Sequence, residues 1–407
     1  MSPHNLDRVS GGEGGARGGL SEVGDPFGTR FTWNHAGAGH DLPCRSINAG
    51  GVVNQVLYSE RSRNPLARTV ELTADRLRNG GRIMPLSELN LGAMAEAFQR
   101  GCWLGGGGSE RPLHWLAQGT GVVPVTRVTG TTTLVRVRHA AEFAHRLGEL
   151  AVWRCGGPDQ VAALAALARA EGVPLWIARR LAPGPAGPIA VAVDRRLVRV
   201  DVWGPQAPVV RIRAPYGFRR DAPDPSKGLW LTVGDATAEL ALWKRLRRST
   251  SCVEVRLPGQ HWVLRRENAV SSRLLRNGWP VALLGRPPRR PVLEPGAVLL
   301  PLSPVRYESP DPLDAVMAQT FAVAFALGDT TGWARFRSER RPVNGGEPFA
   351  VDDDWWDRPW FSNLGNSSAD NEPGGGGDGW GGSGGDSGGS DSGGGGGDGG
   401  GGGGGGD

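Results

Sequence analysis

One stretch of this chain restricts the fold more than any other. From Ala315 to Leu327 there is no charged residue, and the only polar side chains are Gln319 and Thr320. Asp311 is placed to cap a helix, Pro312 suits its first position, and Asp314 suits the positive end of the helix dipole. Gly328 suits a left-handed residue just past the end. The pattern predicts a helix over 312–327. Met317, Phe321, Val323, Phe325 and Leu327 fall all round its axis, so it must be buried on every side. At ~24 Å it is too short to cross a bilayer comfortably. Something must therefore enclose it.

The material to do so lies upstream. Ile189–Val193, Leu197–Trp203, Val209–Ile212 and Leu229–Val233 read as strands. Cys252 to Leu257 alternates, with Val253, Val255 and Leu257 on one face and Glu254 and Arg256 on the other. Pro258-Gly259 turns the chain into Trp262–Arg266, and Asn277-Gly278 marks a two-residue hairpin. Val292 to Leu302 adds one or two strands, and Asp235–Arg247 is helix-like by composition.

Residues 41–182 read differently. Asn64-Pro65 opens a predicted helix with Leu66, Val70, Thr73 and Leu77 on one face, stopped at Asn79-Gly80. A second helix is predicted from Ser87 to Gly101, with Leu91, Met94, Ala95 and Phe98 as its stripe, and Gly105–Gly108 as a loop beyond it. Then come a strand at Leu134–Val137, a helix at Ala140–Leu147, a strand at Leu150–Trp153, a helix from Pro158 to Gly172 and a strand at Val173–Ile177. The fold class expected is α+β: a small α/β region over 41–182, then a β-rich, barrel-like region over 183–342 around the buried helix. Residues 1–40 and 371–407 are Gly-rich and are expected to be disordered, and 343–370 form an acidic-aromatic segment.

Many strands followed by a buried C-terminal helix resembles the tubby-like barrel superfamily, which includes the phospholipid scramblases and the plant LURP-one proteins. The carriers are Val253–Leu264, the hairpin at Asn277-Gly278-Trp279 and the helix Pro312–Leu327, within residues 190–330. It is a likeness of layout, not of a residue motif. The resemblance implies lipid binding at a membrane surface or protein docking. The chain lacks the scramblases' Pro-rich start, their Cys cluster and a helix long enough to anchor.

Charge divides the chain. Residues 343–407 hold 12 acidic residues and one Arg, a net −11, and residues 1–342 carry +16. Only Lys227 and Lys244 of the 46 basic residues are lysines, so part of the Arg excess reflects a GC-rich coding sequence. The remaining clusters nominate an anion-binding set: Arg219, Arg220, Arg245, Arg247, Arg248, Arg289 and Arg290. The least ordinary segment is Asp352-Asp353-Asp354-Trp355-Trp356-Asp357-Arg358-Pro359-Trp360-Phe361. Exposed aromatics are costly unless they dock, so Asp352, Asp353, Asp354, Trp355, Trp356, Asp357, Trp360 and Phe361 are read as a docking segment. Its expected target is a protein partner or the chain's own basic body.

Other strings carry less. Gly385-Asp386-Ser387-Gly388-Gly389 copies the surroundings of a protease serine, but in a Gly tail that offers no base or oxyanion hole. The spacings of Cys44, Cys102, Cys155 and Cys252, and of His35/His40 and His139/His145, match no metal site. No phosphate-binding loop is present. No cofactor and no catalytic residue are expected. The function expected is a non-enzymatic interaction or scaffold protein. An anionic lipid or nucleic-acid binder is the alternative, and a viral or phage structural component fits the same bulk features. With no apolar stretch between Met1 and Arg30, a cytoplasmic location is expected, peripheral at a membrane if the lipid reading holds.

Overall fold

The computed structural model describes residues 56–60, 69–195, 197–215, 217–220, 222–245, 250–287 and 297–336. Four short strands come first: β1 (Val56–Ser59), β2 (Val70–Thr73), β3 (Arg76–Asn79) and β4 (Arg82–Pro85), antiparallel and in sequence order. The helix expected across Val70, Thr73 and Leu77 is therefore two strands of a hairpin. Val70, Leu72 and Leu77 are fully buried while Glu71 and Arg78 face each other across the ladder, so the operative period is two. Thr73 Oγ1 accepts from the Arg76 amide at 3.3 Å and closes the turn. Asn79 ends β3 and pairs with Arg82 across a Gly80-Gly81 hairpin turn, with Gly80 at φ +60°, so Asn79-Gly80 is not a helix stop.

Helix α1 (Leu91–Gln99) starts later than predicted, because Leu86–Glu88 forms a 3-10 turn and Asn90 caps the helix through the Ala93 amide at 3.1 Å. A hairpin of β5 (Cys102–Leu104) and β6 (Glu110–Pro112) follows, then a second of β7 (Gly121–Thr126) and β8 (Thr132–Val137). The helix and strand expected over 140–153 are one helix, α2 (Ala140–Arg154). Phe143, Ala144, Leu147, Leu150 and Ala151 keep one buried face throughout. Gly148, a breaker by propensity, sits where a Cβ would lie 2.3 Å from the Phe98 ring, so it lets α1 and α2 approach. Helix α3 (Pro158–Glu171) ends at Gly172 (φ +65°), as its sequence predicts. Val173–Ile177 is not a strand; Val173, Trp176 and Ile177 are buried in a loop that joins the two halves of the molecule. Every strand pairing described here is antiparallel, which replaces the α/β reading of this region.

The chain then builds one sheet of eleven antiparallel strands in strict sequence order. They are β9 (Arg179–Ala182), β10 (Ile189–Asp194), β11 (Arg199–Trp203), β12 (Val210–Arg213), β13 (Trp230–Val233) and β14 (Ala236–Trp243). β15 (Cys252–Leu257), β16 (Gln260–Arg266), β17 (Ser271–Arg276), β18 (Trp279–Gly285) and β19 (Val305–Tyr307) complete it. Within the helix-like stretch 235–247, Ala236–Trp243 is β14, whose Ala-rich sequence is overridden by ladders to β13 and β15, and residues 246–247 lie outside the described residues. Of the strands expected over 292–302, residues 292–296 lie outside the described residues and 297–302 form none.

Alternate residues of these strands, among them Val191, Val202, Ile212, Leu231, Val255, Leu264 and Leu284, face one core. Against them packs α4 (Pro312–Ala324), with every residue from Asp314 to Ala324 buried. Each large apolar side chain taken there contributes roughly 1.5–3 kcal/mol. The helix ends earlier than predicted, with Phe325 extended and Gly328 (φ +64°) opening a separate turn.

Asp311 caps α4 through the Leu313 amide at 2.9 Å. Asp314 does more than face a dipole: it accepts from Trp262 Nε1 at 2.9 Å and from Ser309 Oγ at 2.8 Å. The chain is α+β and β-rich, and the sheet is not a closed barrel. Its edges β9 and β19 are spanned by side chains instead. Tyr307 donates its hydroxyl to the Pro183 carbonyl at 2.9 Å, and Arg180 donates to the Leu300 carbonyl at 3.1 Å.

A candidate anion-binding groove

Past Phe325 the chain runs back along itself. The Ala326 amide donates to the Trp333 carbonyl at 2.9 Å, and the Arg335 amide to the Ala324 carbonyl at 2.8 Å. These bonds fix Trp333 beside the end of β14. Gly332 (φ +98°) permits the approach, because a Cβ there would lie 2.7 Å from the Trp243 carbonyl oxygen. Phe218 and Phe336, both buried, meet edge to face at 5.8 Å and close the floor below.

The result is a groove of about 1490 Å³ between β14, the segment after Phe218 and the chain from Gly332 to Phe336. Its floor is apolar, with Leu240, Leu242 and Ala334 beside the two phenylalanines. Among the described residues its rim carries four exposed cations: Arg219, Arg220, Lys244 and Arg245. Lys244 Nζ lies 3.9 Å from the centre of the Trp333 ring, and the Arg220 guanidinium 5.1 Å from it. Arg245 lies over Trp243 at 5.2 Å. Aromatic faces hold these cations in place without neutralising them.

Among the described residues no carboxylate pairs with Arg220, Lys244 or Arg245. The two carboxylates among the described lining residues have other partners. Asp224 accepts from the Ser226 amide at 3.1 Å and from the Ser226 hydroxyl, and Glu239 faces Arg256 at 3.9 Å. The described lining contains no histidine or cysteine. It is a surface for holding an anion, with an apolar floor suited to an aromatic or aliphatic group beside that anion.

Of the anion-binding residues named from sequence, Arg219, Arg220 and Arg245 come together here. Arg247, Arg248, Arg289 and Arg290 lie outside the described residues, as do Asp352 to Phe361 and Gly385 to Gly389. Lys244 and Trp333 stand outside the anion-binding set nominated from sequence. Lys244 had a signal in its place between Trp243 and Arg245, while Trp333 had none, since it arrives from ninety residues downstream.

Two other polar clusters lie outside this groove. Arg199, Arg211 and Arg213 surround Asp201, which is fully buried, at 3.1, 2.7 and 2.5 Å. Their anion is already present. Burial alone would raise the Asp201 pKa, but the three guanidiniums outweigh it and hold the carboxyl below the usual range. Arg199 and Arg211 also donate to the Gly172 carbonyl, at 2.7 and 3.3 Å, which ties the end of α3 to the sheet.

On the outer face of the sheet Glu254 lies 3.6 Å from Cys252 Sγ and 3.3 Å from His261 Nε2. Burial, then the Glu254 charge, pushes the Cys252 thiol up to about 11, which disfavours the thiolate a nucleophile needs. Among the described residues no group of three His, Cys, Asp or Glu side chains could hold a metal ion, and no helix is long and apolar enough to cross a membrane.

Comparison with known proteins finds no matching family model, no similar curated protein and no similar solved structure.

Proposed function

We propose that this is a non-enzymatic binding protein whose basic, tryptophan-lined groove takes an acidic segment of a protein partner. The observation that carries this reading is the placing of Lys244 and Arg220 on Trp333 with no carboxylate among the described residues paired to them. Cations already ordered against aromatic rings lose little rotamer freedom when an anion arrives. An open groove with an apolar floor also suits a peptide that carries both carboxylates and large apolar side chains.

The test is fluorescence anisotropy with a labelled peptide of alternating Asp and Trp. The titrated protein is the full chain with Asp352, Asp353, Asp354 and Asp357 changed to Asn, so that its own acidic segment does not compete. Binding is expected to weaken as salt rises, since rim charges are screened over ~10 Å at 0.1 M. Changing Lys244→Glu together with Arg245→Glu is expected to abolish it. Binding that survives this double reversal refutes the reading.

Anionic lipid is the second reading. It is supported by the same cations on the groove's rim. Retention on anionic vesicles without peptide binding would favour it over a protein partner.

A further inference from the structure

Resting on that reading, we infer that the groove is occupied, in the protein's resting form, by its own segment Asp352–Phe361. Three observations converge on this occupant. The first is position: Phe336, the last described residue, itself lines the groove. The chain from there to Asp352 is 16 residues long, a reach of at most ~55 Å, so the segment can return to the site from which it departs.

The second is charge. Four cations line the rim, and the segment carries Asp352, Asp353, Asp354 and Asp357 against the single Arg358. The third is the match of apolar groups. Trp355, Trp356, Trp360 and Phe361 stand in two pairs beside those carboxylates, and the groove sets the half-buried Leu240 and Leu242 beneath its basic rim. A segment tethered this closely competes as an intramolecular ligand, at an effective concentration on the order of millimolar. An outside partner would therefore have to displace it.

Lys244 provides a direct test, because the chain has only two lysines. Carbodiimide joins an ammonium to a carboxylate that touches it. In the dilute full-length protein, the expected product links Lys244 to one of Asp352, Asp353, Asp354 or Asp357, identified by mass spectrometry of the digest. Mixing isotopically heavy and light chains separates a link within one chain from a link between two. No such link, or a link found only between heavy and light chains, overturns the inference; the second result would put a neighbouring copy's segment in the groove.

A labelled peptide of residues 350–362 supplies an independent readout. The full chain with Asp352, Asp353, Asp354 and Asp357 changed to Asn is expected to bind it at least about tenfold more tightly than the wild type. Equal, Lys244-dependent binding by both chains overturns the inference and leaves the groove reading intact. Absence of both the crosslink and peptide binding overturns the two together. A crosslink within one chain supports occupancy by the segment even if the peptide fails to bind in trans.

Discussion

Replacing Asp201 with asparagine is expected to loosen the junction between α3 and the sheet. The carboxylate is fully buried and accepts from three guanidiniums at 2.5 to 3.1 Å. Asparagine keeps one acceptor oxygen but removes the charge, and it turns an amide N–H₂ toward a cation. Taking one partner out of a buried ionic cluster costs ~3–5 kcal/mol, because the remaining charges stay desolvated. The retained oxygen recovers about 1 kcal/mol, the net value of one hydrogen bond. Arg213 keeps its bonds to the Val200 and Ile212 carbonyls, both at 2.9 Å, and Arg211 keeps its bond to the Glu171 carbonyl at 2.7 Å.

A loss of about 3 kcal/mol follows. For a folded unit of this size that lowers Tm by roughly 6–12 °C, measured by calorimetry or circular dichroism at pH 7. Amide exchange should accelerate first at the C-terminal turn of α3, whose carbonyls the arginines bind. The pH dependence gives a second check. The folded-state carboxyl titrates below its unfolded value of ~3.9, so its stabilisation is complete above that pH and is lost as pH falls through the folded value. The gap between wild type and variant should stay level from pH 5 to 8 and close only in acid. A Tm within ~2 °C of wild type would refute the claim that the cluster is held together by this charge.

Two further outcomes can be checked directly. Gly108→Ala should cost about 2–4 kcal/mol in denaturant unfolding, since Gly108 has φ +80° and an added Cβ would lie 2.3 Å from the Trp176 ring; a neutral substitution would mean that the indole moves freely. Alkylation of Cys252 should keep accelerating past pH 10 and should speed up at pH 8 in Glu254→Gln, because burial first and Glu254 second push its thiol up to about 11; a rate plateau below pH 9 would contradict both causes.

Much of the β-rich half is legible in the chain, because its signals are local. Val253, Val255 and Leu257 alternate with charged residues, and the Asn277-Gly278 turn sets the register of β17 and β18. Elsewhere a local signal is outvoted by packing. Leu66, Val70, Thr73 and Leu77 fit a helical wheel by coincidence of spacing, yet the last three lie in a hairpin. Ala236 to Trp243 has helical composition but completes a ladder between two strands. Gly148 reads as a break in a helix until Phe98 is seen to fill the space above it.

The sequence by itself determined that residues from Ala315 onward form a helix needing enclosure, and that an alternating series of strands is available to enclose it. The first follows from caps around an uncharged run and the second from a period of two, signals a chain carries within a dozen residues. Only the tertiary structure decided which arginines share a surface. It placed Arg199, Arg211 and Arg213 on a buried aspartate, and Arg220 and Lys244 on Trp333. An arginine's role is set by the anion or ring it meets, and those partners arrive from positions far along the chain, brought together by the sheet and by the return of the chain after α4.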